Sequence, residues 1–225
     1  MDYTWIFFDV DGTLTVEHSI WEFLHRELGI WESQGKVNLE LFLTGRMSYA
    51  EFARRDAAGY SGIHRSEFDR MLDRIQIRPG IDRCFHELHA RGLRIGLIST
   101  GLDILVNRFQ PVELAVANEL LFENDICTGE VIVHLPIDAK AEYISGFRSK
   151  HSIECREIVS VGDSVGDIGM MLQSGLKIAV YPCDPALLDV CDFCLLEPDL
   201  NLIPDLVTTL KQGQRAFVRG SDRAR

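Results

Sequence analysis

The strongest constraint on the fold is a short apolar run near the N-terminus that ends in two aspartates. The run Trp5-Ile6-Phe7-Phe8 leads directly into Asp9-Val10-Asp11-Gly12-Thr13. A short aromatic and apolar segment that stops at a turn signal is typical of a buried strand in a parallel sheet. Because open α/β sheets bind ligands beyond the carboxyl ends of their strands, we expect both aspartates to reach that crevice. A divalent cation would relieve their mutual repulsion, and the alternative is a strand that ends in a solvated Asx-turn.

The rest of the chain alternates between helical and strand-like patterns. Residues 16–78 have apolar residues at helical spacing and no alternating β-branched runs. Strand-like apolar runs return at 93–98 and recur at 158–161 and 177–181, with helical segments between them. Strands that alternate with helices predict a mainly parallel sheet with right-handed crossovers. The predicted fold class is therefore α/β, a Rossmann-like mainly parallel sheet core with an inserted small helical cap.

The domain boundaries follow from the same change in pattern. We expect residues 1–15 and 79–210 to form the catalytic core and residues 16–78 to form the helical cap. The alternative is that the helices of 16–78 belong to the main core. Residues 211–225 lose apolar content and carry five cations against one acid, so a flexible basic tail is predicted there.

Two local patterns predict finer details. The segments 119–122 and 130–134 flank a turn-rich stretch and predict a β-hairpin. A serine followed three residues later by an acid is a capping-box pattern. It occurs at Ser48 with Glu51 and again, in a weaker form, at Ser66 with Asp69, so a helix is predicted to start at each place.

Composition restricts the partners and the compartment. The formal net charge of -11 argues against nucleic acid as a main partner, since phosphate backbones require clustered cations. Six scattered cysteines do not suggest a disulfide scaffold, and Cys191 and Cys194 are expected to be reduced. The chain has no basic N-terminal region and no apolar run of membrane-spanning length. We therefore expect a cytoplasmic monomer or homodimer without a membrane partner.

The stretch from Asp9 to Thr13 resembles the Asp-x-Asp-x-Thr signature of the haloacid dehalogenase-like phosphotransferases. The resemblance implies a serine or threonine at the end of a second strand, then a lysine, and then a Gly-Asp pair with a second acid. Ser99, Lys140 and the segment 162–167, which contains Asp163 and Asp167, meet these expectations in the expected order. Since the ends of parallel strands share one edge, all these groups are expected to meet in one crevice.

The resemblance also implies roles for these residues. Asp9 matches the nucleophile, which forms an aspartyl-phosphate, and Asp11 matches the general acid and base. Ser99 would donate to a phosphoryl oxygen, together with a backbone N–H of Thr100 or Gly101.

Lys140 would neutralise phosphate charge and keep the nucleophile ionised. The implied cofactor is Mg²⁺, with Asp9 and Asp163 as side-chain ligands and Asp11 as a ligand through its backbone carbonyl. Asp167 would support the metal site.

Within the family the chain resembles the phosphoserine phosphatase branch, over residues 5–210. The insertion after the first strand, the segment 138–142 around Lys140 and the segment 161–179 indicate that branch. In that branch a cap glutamate binds the substrate amine and a cap arginine binds the substrate carboxylate.

In this sequence Glu17 is the candidate for the amine, although the best register places His18 there. Arg54 and Arg55 are the nearest candidates for the carboxylate, and the register places Asp56 at the position of the arginine. The predicted substrate is a small phosphorylated metabolite, with phosphoserine as one candidate.

Three other functions remain open at this stage. A phosphotransferase would pass the phosphoryl group to a small alcohol instead of water. A non-catalytic binding or regulatory protein could use the same fold, but Asp9, Asp11, Ser99, Lys140 and Asp163 are all intact. A dehalogenase is disfavoured by Asp11, because the dehalogenase pattern lacks the second acid.

Overall fold

The computed structural model describes residues 3–197, 199–209 and 216–218. Within these residues the chain forms one sheet of eight strands in the order β4-β3-β2-β1-β5-β6-β7-β8. All neighbouring strands are parallel except β3 and β4, which form an antiparallel pair. The strands are β1 Trp5–Phe8, β2 Arg94–Leu102, β3 Leu114–Glu123, β4 Ile126–Ile132, β5 Ile158–Gly162, β6 Leu176–Val180, β7 Phe193–Leu195 and β8 Ala216–Val218. The predicted α/β class with a mainly parallel sheet is confirmed.

Ten α-helices surround and extend this sheet in the described part of the chain. They are α1 Ile20–Glu27, α2 Lys36–Leu43, α3 Tyr49–Ala58, α4 Arg65–Leu72, α5 Ile81–Ala90, α6 Asp103–Val106, α7 Lys140–His151, α8 Ile168–Met171, α9 Ala186–Val190 and α10 Ile203–Thr209. A π-helical turn, Trp31–Gly35, precedes α2. None of the described helices combines the length and the apolar character that a bilayer crossing requires.

The strand β1 lies at the centre of the sheet and is buried on both faces. Phe7 packs edge-on against Phe147 of α7, and Phe8 packs against Phe85 of α5. Because side chains alternate along a strand, these two aromatic contacts cover opposite faces of the sheet. At its carboxyl end β1 is in register with both neighbours, since Phe8 pairs with Leu97 of β2 and with Val161 of β5. The ends of β1, β2 and β5 therefore share one edge.

The helical insertion enters and leaves the core through two adjacent segments. Thr15 and Ile77 form an antiparallel bridge, and the N–H of Val16 donates to Gln76 O at 2.8 Å. The N–H of Arg78 donates to Leu14 O at 2.9 Å. Helices α1 to α4 lie between these two connections. We retain residues 16–78 as the proposed cap domain and residues 1–15 with 79–210 as the proposed core domain.

The β-hairpin predicted from the sequence is present and contacts the cap. Its turn uses Asn124 and Asp125 with φ of 51° and 63°, the left-handed conformation that a tight hairpin turn requires. The N–H of Gly62 donates to Cys127 O, and the N–H of Cys127 donates to Ile63 O, both at 2.8 Å. The hairpin therefore joins the cap to the edge of the sheet by backbone hydrogen bonds.

Two local predictions differ in outcome. Ser48 caps α3 by accepting the N–H of Glu51 at 3.2 Å, as predicted. The predicted cap at Ser66 is wrong by two residues, because α4 begins at Arg65 and His64 caps it by accepting the N–H of Ser66 at 3.1 Å. An imidazole nitrogen can replace a hydroxyl as the acceptor at a helix start, and the serine pattern does not reveal this.

The predicted tail also departs in one place from a fully flexible segment. Residues 216–218 form β8, which pairs in parallel with β7. A short apolar stretch, Ala216-Phe217-Val218, provides the strand-like sequence there. The remaining tail residues, 211–215 and 219–225, lie outside the described residues.

Candidate active site

Groups from three separate parts of the chain meet at the shared strand edge. Asp9 follows β1, Asp163 and Asp167 follow β5, and Lys140 is the first residue of α7. The Lys140 Nζ donates to Asp9 Oδ1 at 2.5 Å and to Asp167 Oδ1 at 2.6 Å, and all three side chains are buried. The structure therefore brings together the residues that the sequence placed at separate strand ends.

A threonine hydroxyl links the two halves of this cluster. Thr13 Oγ1 lies 3.2 Å from Asp9 Oδ2 and 3.2 Å from Asp163 Oδ1, and Thr13 is fully buried. The hydroxyl has a single proton, so it can donate to only one of the two carboxylates at a time. Thr13 was noticed as part of the signature but was not predicted as a site residue.

Asp167 fixes the loop that follows β5. Its Oδ2 accepts the backbone N–H groups of Asp163 and Ser164, each at 3.0 Å, while Oδ1 accepts from Lys140. A Cβ on Gly162 would lie 2.4 Å from Asp167 Cγ, so only glycine allows this close approach. Asp167 is thus held by backbone donors in the place predicted for a supporting carboxylate.

Burial dominates the protonation of the cluster. Burial raises the pKa of Asp9 well above its usual value, and the charges of Asp167 and Asp163 raise it further, whereas Lys140 lowers it. Burial also raises the pKa of Asp163, with Asp167 adding to the effect. For Lys140 burial lowers the pKa, but Asp167 and Asp9 outweigh burial, so the pKa is raised overall. Lys140 is therefore an ammonium ion, and its single positive charge does not balance the surrounding carboxylates.

Asp11 occupies a different environment from Asp9. Its Oδ1 accepts the backbone N–H of Ile20 at 2.6 Å, at the start of α1, and its Oδ2 accepts from Ser99 Oγ at 2.9 Å. Burial raises the pKa of Asp11, and these two hydrogen bonds oppose the increase. The Ser99 hydroxyl thus donates to Asp11 here, and its predicted contact with a phosphoryl oxygen stays a prediction.

The loop after Ser99 is held from the cap side. Gly101 N donates to Ser99 Oγ at 2.8 Å. The Thr100 carbonyl accepts from Tyr49 Oη, from Asn118 Nδ2 at 2.8 Å and from Trp21 Nε1 at 3.4 Å. Two of these three donors, Trp21 and Tyr49, belong to the cap helices α1 and α3.

The structure does not bring the three predicted cap residues to this cluster. Glu17 accepts the backbone N–H of Gln76 at 3.1 Å, on the connection between cap and core. Arg54 and Arg55 both pair with Glu51 on the exposed face of α3, at 2.8 and 2.7 Å. In this structure Glu51 pairs with both guanidinium groups, and the assignment of Arg54 and Arg55 to substrate binding stays a prediction.

Two residues near the cluster were missed by the sequence analysis. His18 Nδ1 lies 2.8 Å from Asp163 Oδ2, and the sequence register placed His18 at the position of the amine-binding glutamate without assigning it a role. Arg78 is buried and donates to Gly12 O from both Nε, at 3.0 Å, and Nη2, at 2.6 Å. The Arg78 guanidinium thereby holds the turn that carries Asp11, and no motif in the sequence indicated this role.

The cluster has the donor chemistry of a site for a hard cation. Asp9, Asp163 and Asp167 each present a carboxylate oxygen, and these oxygens lie within 4.8 Å of one another. Three carboxylates face one ammonium group, and burial raises the pKa values of Asp9 and Asp163. Carboxylate oxygens with uncompensated negative charge suit Mg²⁺. The side chain of Asp11 points to Ile20 and Ser99, so its predicted role as a backbone ligand stays a prediction.

Comparisons with known proteins agree with this geometry. A model of the haloacid dehalogenase-like hydrolase family matches residues 6–172, which include every member of the cluster. The phosphoserine phosphatase of Methanocaldococcus jannaschii is 30% identical over 202 residues, 88% of this chain and 94% of that protein. Phosphoserine phosphatase SerB2 of Mycobacterium tuberculosis is 32% identical over 206 residues, which are 88% of this chain and 49% of that protein.

A solved structure shows the same fold. It is described as a phospho-aspartyl intermediate analogue of phosphoserine phosphatase, and it matches with a TM-score of 0.75 at 27% identity. The match covers 94% of this chain and 100% of the other chain. The chain thus belongs to the haloacid dehalogenase-like hydrolase family and is a phosphatase that resembles the phosphoserine phosphatases.

Proposed function

We propose that this phosphatase is a Mg²⁺-dependent phosphomonoester hydrolase that acts on a small phosphorylated metabolite through an aspartyl-phosphate. The observation that supports the proposal most is the position of Asp9. Its carboxylate is buried at the end of the central strand and is bonded to Lys140 Nζ at 2.5 Å. The hydrogen bond to Lys140 fixes the orientation of the Asp9 carboxylate. The positive charge of Lys140 favours the ionised form, which is the form that attacks phosphorus.

The first half of the reaction uses Asp9 and Asp11 in different protonation states. An Asp9 oxygen forms a bond to phosphorus while the bond from phosphorus to the substrate oxygen breaks. Asp11, whose pKa is raised by burial, gives its proton to the departing oxygen. The ionised form of Asp9 depends on the positive charge of Lys140, which opposes the effect of burial, whereas burial is the largest influence on Asp11 and raises its pKa.

The second half of the reaction hydrolyses the aspartyl-phosphate and regenerates the free enzyme. The Asp11 carboxylate takes a proton from water, whose oxygen then attacks phosphorus and breaks the bond to Asp9. Inorganic phosphate leaves, and Asp11 is again protonated. Throughout, Lys140 compensates charge on Asp9 and on the phosphoryl group, and Asp167 holds Lys140 in place.

Asp9 and Asp163 would hold Mg²⁺, which would supply positive charge to the phosphoryl oxygens. The residues fit this ion, because their oxygens already converge and their charge is only partly compensated. Asp167 would support the site without changing its own backbone hydrogen bonds.

Phosphoserine is the first substrate to test, because the relatives are named for it. The cap provides little support for a tight fit to its carboxylate, since Arg54 and Arg55 pair with Glu51. We therefore propose the broader class, small phosphomonoesters.

The decisive experiment combines a substrate screen with detection of the intermediate. Purified protein is assayed with Mg²⁺ against small phosphomonoesters, including phosphoserine and phosphothreonine, and each is ranked by kcat/KM. Labelled substrate is then mixed with enzyme and quenched in acid, and we expect an alkali-labile phosphoryl label on the protein. Asp9→Asn should lose both the label and the turnover, while Asp82→Asn, an exposed carboxylate on α5, should keep both.

Two results would contradict the proposal. Turnover by Asp9→Asn within tenfold of the wild type would exclude Asp9 as the nucleophile. Formation of a new phosphate ester with an added alcohol, at the expense of inorganic phosphate, would indicate a phosphotransferase instead.

A further inference from the structure

A second set of metal-ligating side chains lies beside the active site. It consists of His18, Asp163 and Cys183, whose ligand atoms lie within 4.8 Å of one another. They come from three places in the fold: the segment before α1, the end of β5 and the loop after β6. Three distant parts of the chain therefore present a nitrogen, an oxygen and a sulfur to one point.

The three groups already converge on the same carboxylate. His18 Nδ1 lies 2.8 Å from Asp163 Oδ2, and the Cys183 Sγ lies within 4.8 Å of both groups. The backbone reinforces this arrangement, because the N–H of Cys183 donates to Asp163 O at 2.9 Å. Asp163 is buried, whereas His18 and Cys183 are exposed, so the site is open to solvent on one side.

The donor set favours a different ion from that of the catalytic cluster. Mg²⁺ takes oxygen ligands almost exclusively, whereas Zn²⁺ is bound by thiolate, imidazole and carboxylate in tetrahedral sites. Three protein ligands and one open position are typical of a Zn²⁺ site that also binds water. A tetrahedral Zn²⁺ site spaces its ligand atoms about 3.5 Å apart. The ligand atoms of His18, Asp163 and Cys183 already lie within 4.8 Å of one another, so the exposed side chains of His18 and Cys183 need only small shifts to reach this spacing.

Asp163 connects this set to the catalytic cluster. Its Oδ1 lies 3.2 Å from Thr13 Oγ1, which also contacts Asp9, and its Oδ2 lies 2.8 Å from His18 Nδ1. A dication bound at Oδ2 would reduce the negative charge that the Asp163 carboxylate offers to a dication at Oδ1. Two dications this close would also repel each other. His18 also belongs to the connection that leads into α1, so the same ion would tie the cap connection to the core.

We propose that His18, Asp163 and Cys183 form a binding site for Zn²⁺ or a similar thiophilic dication, and that its occupancy inhibits hydrolysis. The inhibition rests on the proposed phosphatase function, whereas the binding does not. Binding releases the thiol proton and replaces the contact between His18 Nδ1 and Asp163 Oδ2.

Cobalt is the probe for the binding site, because a Co²⁺–thiolate bond has a charge-transfer absorption in the near ultraviolet. Wild-type protein is stripped of bound metal, supplied with saturating Mg²⁺ and titrated with Co²⁺. The absorption should saturate at one Co²⁺ per chain and disappear on addition of Zn²⁺. Cys183→Ser should abolish the band, and Cys155→Ser, the other cysteine that is not fully buried, should retain it. No band in the wild type, or an undiminished band in Cys183→Ser, would overturn the proposed site.

The functional part is tested by Zn²⁺ inhibition of p-nitrophenyl phosphate hydrolysis at saturating Mg²⁺. We expect Cys183→Ser and His18→Gln each to raise the half-inhibitory Zn²⁺ concentration by at least about tenfold, each relative to its own rate without Zn²⁺. Cys155→Ser should match the wild type. Equal Zn²⁺ sensitivity of wild type and Cys183→Ser would assign inhibition to the Asp9 cluster and refute this part of the proposal. If the wild type hydrolyses no phosphomonoester, the proposed function fails, and the cobalt spectrum still decides whether the metal site exists.

Discussion

A buried carboxylate in the cap should make the stability of the protein depend on pH. Asp56 of α3 is buried, and Asn38 Nδ2 donates to its Oδ1 at 2.7 Å. His25 Nε2 lies 3.6 Å from the same oxygen, which is outside hydrogen-bond distance. The Trp21 carbonyl oxygen and Tyr60 Oη each lie 2.8 Å from His25 Nδ1, on the other side of the ring from Asp56. Burial lowers the pKa of His25, so it offers no positive charge to Asp56.

The size of the effect follows from the pKa of Asp56. Burial raises it from 3.8 to about 7, and the hydrogen bond from Asn38 opposes the increase. The folded protein therefore keeps this proton at pH values where the unfolded chain has lost it, and stability falls as the pH rises from about 4 to about 7. A shift of about 3 pKa units corresponds to about 4 kcal/mol. Asn at this position can accept from Asn38 but cannot ionise, so Asp56→Asn should lack this loss.

Urea unfolding of wild type and Asp56→Asn at several pH values measures the effect. Between pH 5.5 and 8.5 the unfolding free energy of the variant should gain about 2 kcal/mol on that of the wild type, because about 1.5 pH units of this window lie below the pKa of Asp56. Asp69→Asn removes an exposed carboxylate on α4 and should show no such gain. A difference between Asp56→Asn and wild type that is constant with pH would show that Asp56 ionises in the folded protein as it does in water.

Three further substitutions test the active site. Lys140→Gln leaves Asp9 and Asp167 without a counter-charge, so kcat should fall by at least about 10³-fold, while Lys150→Gln on the exposed face of α7 should retain the wild-type rate. Gly12→Ala places a Cβ 2.3 Å from Asp163 Oδ2 at a φ of +83°, and Gly45→Ala, at +70° with open space, imposes the strain alone. Both should lose roughly 1–3 kcal/mol in urea unfolding, and only Gly12→Ala should also lose more than tenfold in kcat. Tyr49→Phe removes a hydrogen bond to Thr100 O, so we expect a loss of roughly 1 kcal/mol in the free energy of unfolding and a lower kcat. Unchanged kinetics would show that the Tyr49 hydroxyl does not position the loop.

Local sequence determined the parts of this structure that could be predicted. The run before Asp9 is wholly apolar, the run before Asp163 is apolar except for Ser160, and each strand stops at a glycine-containing turn. Once both are strands of one parallel sheet, the edge at which their aspartates meet is fixed by topology. Lys140 could be placed only through its position in the motif series, because an isolated lysine at a helix start is more often solvated.

The contacts that were missed depend on backbone geometry that no local pattern reveals. The strand β2 continues through Ser99 to Leu102 with a register shift after Ile98, and this irregularity directs the Ser99 hydroxyl to Asp11. Arg78 reaches Gly12 O only because the return connection of the cap lies beside the first turn. Arg54 and Arg55 lie three and four residues after Glu51 on α3, a spacing at which helical side chains form ion pairs. The register taken from the family resemblance did not reveal these pairs.

The hydrogen bonds of Asp11 indicate why chemistry in this protein should depend on cap position. Asp11 is bonded on one side to the first N–H of α1 in the cap and on the other to Ser99 in the core. Trp21 and Tyr49 of the cap donate to the carbonyl of Thr100, in the same loop as Ser99. A cap that moves away exchanges these three contacts for water, and the Asp11 carboxyl becomes solvated. Since burial is the largest influence on the raised pKa of Asp11, opening returns that pKa towards its ordinary value and removes the proton that the leaving group requires. For Asp11 as the proposed general acid, we therefore expect proton donation only when the proposed cap covers the crevice and excludes bulk water.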